Sequence, residues 1–91
     1  HRKYLTLKLE GVFESTLAPI IGEELRRHPG AYIKSHPRGI REGVSRIELD
    51  IAVVGEDISW TDRTAVEIAE EMESAVRKIG GSVRSTLGSG E

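Results

Sequence analysis

Between residues 44 and 54 apolar and polar side chains alternate without a break: Ile47, Leu49, Ile51 and Val53 fall on one face, Arg46, Glu48, Asp50 and Ala52 on the other. A period of two is that of a β-strand with one face buried and one open. Leu5, Leu7 and Leu9 repeat the pattern against Thr6, Lys8 and Glu10 until Gly11 ends it. A chain of 91 residues buries only about 60–65% of its unfolded surface. There is room for one sheet with one covering layer, hence for a single small domain.

That layer is helical. Leu17, Ile20, Ile21 and Leu25 recur at helical spacing, with Ser15 or Thr16 as a cap, Pro19 in the first turn, and His28-Pro29-Gly30 as the stop. Gly22 inside this helix costs up to about 1 kcal/mol relative to Ala, which predicts a close helix-to-sheet contact over it. Ser59-Trp60-Thr61-Asp62 fits a capping box, with Trp60 as an anchor residue at the entry to the second helix. Ala65, Ile68, Ala69, Met72, Val76 and Ile79 follow at helical spacing, Glu73 and Arg77 pair on the outer face, and Gly80-Gly81 closes the segment.

Ala31 to His36 reads as a further strand, joined to the one from Val44 by an irregular basic loop. The order β-α-β-β-α, with an optional edge strand over 82–87, predicts the α+β class: a ferredoxin-like (KH-like) two-layer sandwich whose antiparallel sheet carries both helices on one face. The core is expected over about 4–81, and 88–91, Gly-Ser-Gly-Glu, reads as a flexible tail. His1-Arg2-Lys3 runs straight into a strand without a Met, as an excised fragment or a partly ordered chain would, and His1 could derive from a tag.

Composition removes several functions. No cysteine is present, so disulfides, thiolate nucleophiles and Cys-based zinc sites are excluded. The apolar runs are far too short to cross a bilayer, and no signal-peptide pattern opens the chain, so a cytoplasmic domain with no membrane partner is expected. Thirteen Lys and Arg against 15 Asp and Glu give a net charge of -2, so any anion site must be local. The three histidines show no spacing of three or four residues, and neither metal nor cofactor is expected. No grouping of nucleophile, base and oxyanion donor stands out, so no catalytic residue is assigned.

The strongest local concentration of cations is Lys34, His36, Arg38 and Arg41, with Gly39 and Gly43 letting backbone N–H groups approach a ligand. Lys34, His36, Arg38, Gly39 and Arg41 are therefore the candidate anion site. The plainer reading pairs Lys34 with Glu48 across the hairpin and leaves the other cations in water. Tyr4 and Tyr32 on the open face suggest a base-stacking RNA surface, but Glu10, Glu48 and Asp50 share that face and nucleic acid is not expected as a partner. A bare sheet face with two tyrosines also predicts self-association into a homo-oligomer.

Two segments, Gly11-Val12-Phe13-Glu14-Ser15-Thr16-Leu17-Ala18-Pro19 and Tyr32-Ile33-Lys34-Ser35-His36-Pro37-Arg38-Gly39, resemble the C-terminal region of archaeal members of the competence/damage-inducible protein A (CinA) family, often described as molybdopterin-binding-domain proteins. The likeness spans about residues 4–81. It implies that a molybdopterin-binding-like domain precedes this one in the same protein and is its natural partner. It also implies that any nucleotide pyrophosphatase activity belongs to that first domain, and nicotinamide-mononucleotide deamidation to a further bacterial one. Glu14, Ser15, Pro19, Lys34, His36 and Pro37 match family motif positions, but no catalytic role comes with the match. The functions expected are a non-catalytic accessory domain, then a ligand-binding module completed by another domain or subunit, then an RNA-binding sheet.

Overall fold

The computed structural model describes residues 1–90, with backbone alone at Ser85, Leu87, Ser89 and Gly90. The elements run β1 (Arg2–Glu10), α1 (Glu14–Arg27), β2 (Tyr32–Arg41), β3 (Val44–Val54), α2 (Ile58–Lys78) and β4 (Ser82–Gly90). All strand pairs are antiparallel, in the order β2-β3-β1-β4. This is the expected α+β sandwich of ferredoxin-like topology, with the final strand present.

The register keeps the apolar rows together. Leu5, Leu7 and Leu9 lie opposite Ile51, Leu49 and Ile47, and Ile33 lies opposite Ile51. These side chains are buried with Leu17, Ile68, Met72 and Val76 from the helices. Val12, Val53, Ala65 and Ala69 complete the core, while Ile21 and Leu25 pack against it half-buried. Arg46, Glu48 and Asp50 take the opposite face, as a period of two demands.

Several local expectations are corrected. The segment expected as a basic loop is strand: β2 continues through Pro37 to Arg41, and only Glu42 and Gly43 turn the chain, both at positive φ (53° and 81°). Two central residues of that kind make the tight turn whose twist matches a hairpin. Pro37 is tolerated because β2 is an edge strand, where a missing N–H costs no ladder bond. Gly39, at φ 81°, takes up a register slip between Pro37 and Ile40.

At the other edge, the segment expected as a tail pairs with β1: Gly88 lies opposite Leu5, and Gly90 opposite Lys3. Glu91 lies outside the described residues. Neither helix starts at the expected cap. Phe13 is the N-cap of α1 and makes no side-chain cap bond, so Pro19 falls inside the helix and not in its first turn. The Asp57 carboxylate caps α2 through the amides of Ser59 and Trp60. Trp60 is half-exposed, its ring lying over Gly55. Nor does anything pack on Gly22: the nearest atom to a Cβ there would be Arg26 Nη1, 4.0 Å away.

Candidate anion-binding pocket on the open sheet face

The uncovered face of the sheet is ruled by charge. Glu10 ends β1, and its register partner on β3 is Arg46. Its carboxylate lies between Arg46 Nε at 3.7 Å and Arg84 Nε at 3.5 Å. Arg84 reaches this face because the β1–β4 register shifts between Lys8 and Leu9, leaving it at an irregularity. One strand further over, Arg38 Nη2 donates to Glu48 Oε2 at 3.0 Å. Between these rows lies a hollow of about 250 Å³ whose charged lining is Lys8, Glu10, Arg38, Arg46, Glu48 and Arg84. Each of the four strands contributes one cation, against two carboxylates. A second hollow of about 400 Å³ shares Glu10, Arg46 and Arg84 and adds Arg41, Glu42 and Val44.

The contacts around Glu10 are looser than hydrogen bonds, and both arginines are more than a third exposed. Exposed pairs of this kind contribute about 0–1 kcal/mol. An anion with several oxygens can therefore take the guanidinium groups from Glu10 at little cost and gain shorter, charge-assisted bonds. A hollow of 250 Å³ is smaller than the roughly 300–1,000 Å³ of whole-ligand sites. It suits one or two phosphate groups rather than a complete nucleotide.

The expected site residues divide between different places. Arg38 lines the first hollow and Arg41 the second. His36 is held away from both: its Nε2 lies 2.9 Å from Asp50 Oδ2, and Asp50 Oδ1 accepts from Thr6 Oγ1 at 2.9 Å. Lys34 is exposed and does not pair with Glu48, whose partner is Arg38. Gly39 serves the register slip and lines neither hollow. Lys8, Arg46 and Arg84 were missed, because each stands alone in its stretch of sequence and only the register joins them.

The two motif segments meet on the other face of the sheet. Ser35 Oγ donates to Glu14 Oε2 at 2.9 Å, tying the first residue of α1 to β2. Ser15 and Pro19 are exposed on α1, and Pro37 is exposed on the edge strand. Between the two motif segments, the Glu14–Ser35 bond is the contact that ties the helix start to the edge strand. The two tyrosines, both exposed, lie in one cross-strand row on either side of Ala52.

A second polar group sits in the helix layer. Glu24 is 1% exposed, and its Oε2 accepts from Arg27 Nη2 at 2.7 Å. Its Oε1 is buried without a hydrogen-bond partner. Burial pushes the Glu24 carboxyl above the ordinary carboxylate range, the Glu71 carboxyl adds to the rise, and Arg27 opposes it. Glu71 is pulled the other way, most by the neighbouring Glu24 carboxyl; its own partial burial opposes the fall, and His28 and Arg27 add to it. The sequence signal was present: Glu24 falls on the apolar stripe of α1, four residues before His28.

No protein-family model matches the chain. A protein of Metallosphaera sedula is 35% identical over 75 residues, which cover 82% of this chain and 28% of that protein. One from Caldivirga maquilingensis is 32% identical over 78 residues (85% and 28%). Protein Ta0487 of Thermoplasma acidophilum is 36% identical over 74 residues (80% and 28%). The chain thus spans under a third of the length of these relatives. Among solved structures, the designed protein Foldit4 matches with a TM-score of 0.63 and 15% identity over 100% of this chain and 99% of that one. The designed LFR1 1, described as having a ferredoxin fold, gives 0.59 and 15% over 99% and 86%. A hydantoinase/carbamoylase family amidase from Burkholderia ambifaria gives 0.64 and 13%, over 98% of this chain and 27% of the amidase. At such identities the likeness is one of fold alone.

Proposed function

We propose that the chain is a non-catalytic accessory domain of a longer, CinA-like molybdopterin-binding-domain protein linked to nucleotide or cofactor metabolism, and that its open-face pocket holds a phosphate-bearing group whose remaining contacts come from the rest of that protein. The observation that carries the reading is the pocket itself, where four strands bring Lys8, Arg38, Arg46 and Arg84 to one hollow of phosphate size. The larger context rests on the motif resemblance, and agrees with matching segments that make up 28% of longer archaeal proteins. A non-catalytic role fits the pocket's chemistry. Among the described residues its lining holds no hydroxyl nucleophile and no imidazole base.

A diphosphate entering the hollow displaces Glu10 from Arg46 and Arg84 and accepts planar, paired N–H bonds from them. Lys8 adds a point charge. With a net charge of -2 there is no long-range steering, so binding should be modest and weaken as salt is added.

The test follows backbone amide shifts of the 91-residue chain during titration with inorganic pyrophosphate and with ADP-ribose. Shifts should concentrate at Lys8 to Glu10, Arg38, Arg46 to Glu48 and Arg84. Arg46→Ala or Arg84→Ala should each weaken binding by about tenfold, the loss of a bond to a charged group. No shift at millimolar ligand would overturn the pocket. Shifts centred on Tyr4 and Tyr32 with a short RNA, and absent with pyrophosphate, would replace it with base stacking.

A further inference from the structure

In the helix layer, on the other side of the sheet from the cationic pocket, Glu24 in the last turn of α1 and His28 at its C-cap lie against Glu71 on α2. His28 Nε2 lies 2.9 Å from Glu71 Oε1 and 3.6 Å from Glu24 Oε1. One ligand-capable atom from each residue falls within 4.8 Å of the other two. Atoms coordinated tetrahedrally at about 2.0–2.1 Å stand roughly 3.3 Å apart. The group is therefore already close to the spacing that a single ion imposes.

We propose that Glu24, His28 and Glu71 bind one divalent first-row transition-metal ion, of which Zn²⁺ is the representative. Three observations support the site. Glu24 Oε1 is buried and unpartnered, and an orphaned carboxylate oxygen at 1% residue exposure is an expense that an ion would relieve. The donor set is two carboxylates and one imidazole, which suits Zn²⁺, Co²⁺ or Mn²⁺ and disfavours Mg²⁺, an ion that prefers oxygen alone.

The third observation is that the ligands are held from behind. The backbone of His28 is fixed on both sides, its N–H donating to the Glu24 carbonyl and its C=O accepting from Ala31 N, each at 2.9 Å. Arg27 occupies the second oxygen of Glu24 and so aims Oε1 inward. Glu71 is one-third exposed and borders a shallow groove along α2 that also carries Asp62, Glu67 and Glu70 against one cation, Arg63. That acidic groove offers a cation a way in, and solvent can supply the remaining coordination position.

The experiment uses Co²⁺ as a visible probe and Zn²⁺ as its competitor, with the full chain carrying His1→Ala to remove the metal-binding capacity of an N-terminal histidine. One equivalent of Co²⁺ should bind, with a d–d absorption band that Zn²⁺ abolishes. His28→Gln and Glu71→Gln should each weaken binding at least tenfold, since loss of a ligand costs no less than loss of the groups that orient it, about 10–100-fold. His36→Gln, on the opposite face, should leave it unchanged. Glu71→Gln alters a partly exposed side chain and keeps the test open if His28→Gln fails to fold. Absence of binding up to 1 mM Co²⁺ overturns the proposal, as does binding that survives the Glu71→Gln substitution.

Discussion

Replacing Gly81 with Ala tests how tightly the start of β4 is seated. A Cβ at that position would lie 2.5 Å from Val12 Cγ1, 2.8 Å from Val76 Cγ1 and 3.1 Å from the Glu10 carbonyl oxygen. Carbon atoms prefer about 3.5–4.0 Å, so two methyl groups are overlapped by roughly 1 Å while backbone blocks a third side. Val12 and Val76 are 3% and 0% exposed, so neither has open space to swing into, and Val76, inside α2, is also held to the one rotamer that a helical valine strongly prefers. Overpacking of this kind costs about 1–3 kcal/mol, and reduced freedom of the unfolded chain returns about 0.4–1 kcal/mol. The net expectation is a loss of about 1–2 kcal/mol, or a fall in Tm of about 4–16 °C for a domain of this size. Urea and thermal unfolding of Gly81→Ala, Val12→Ala and the double variant make the measurement a cycle. Removing the Val12 methyls relieves the tightest overlap, so the two changes should couple favourably by at least about 0.5 kcal/mol. A neutral Gly81→Ala, or an equal cost in both backgrounds, would refute the reasoning. The position also matters for the pocket, because Gly81 leads directly into β4, on which Arg84 lies.

Gly22→Ala should act in the opposite direction: with no neighbour closer than Arg26 Nη1 at 4.0 Å, the helix gains about 0.5–1 kcal/mol, and a lowered Tm would reveal a contact over Gly22. Glu42→Asn should stabilise the hairpin by about 0.5–1 kcal/mol, since Asn tolerates the left-handed conformation that Glu42 adopts at φ 53°. It should also tighten pyrophosphate binding by removing a carboxylate beside Arg41 and Arg46; weaker binding to this variant would argue against the second hollow as part of the site.

The sheet was legible because a period of two says which side chains share a face, and the burial of Leu5, Leu7, Leu9, Ile47, Leu49 and Ile51 follows from that rule alone. The hairpin was not, because Pro37 and Gly39 are breakers only when the strand that carries them is central. That β2 is an edge is a property of the whole sheet. Gly88 to Gly90 read as a tail for a related reason: their strand forms by backbone pairing to β1, which needs no apolar side chain of its own. The helix starts were misplaced by two or three residues: α1 has Phe13 at its N-cap, which offers no side-chain cap to read, and at α2 it is Asp57, before Ser59, whose carboxylate reaches the free amides.

The same distinction between neighbours along the chain and neighbours across strands decides the sites. Lys34, His36 and Arg38 crowd together in sequence, but at about 3.3 Å per residue a strand sets Lys34 roughly 13 Å from Arg38, beyond the span of one phosphate group. The register instead places Glu10 beside Arg46 and Lys8 beside Glu48, and the slip in β4 delivers Arg84 to the same corner. Glu24, His28 and Glu71 follow the same logic in the helix layer, where spacing supplies two ligands and packing the third. A carboxylate on a buried stripe is the one-dimensional trace of such a site, because burial without a partner is costly enough that something must meet it. In this chain the candidates to meet it are a proton shared with Glu71 or a metal ion, and the Co²⁺ titration separates them.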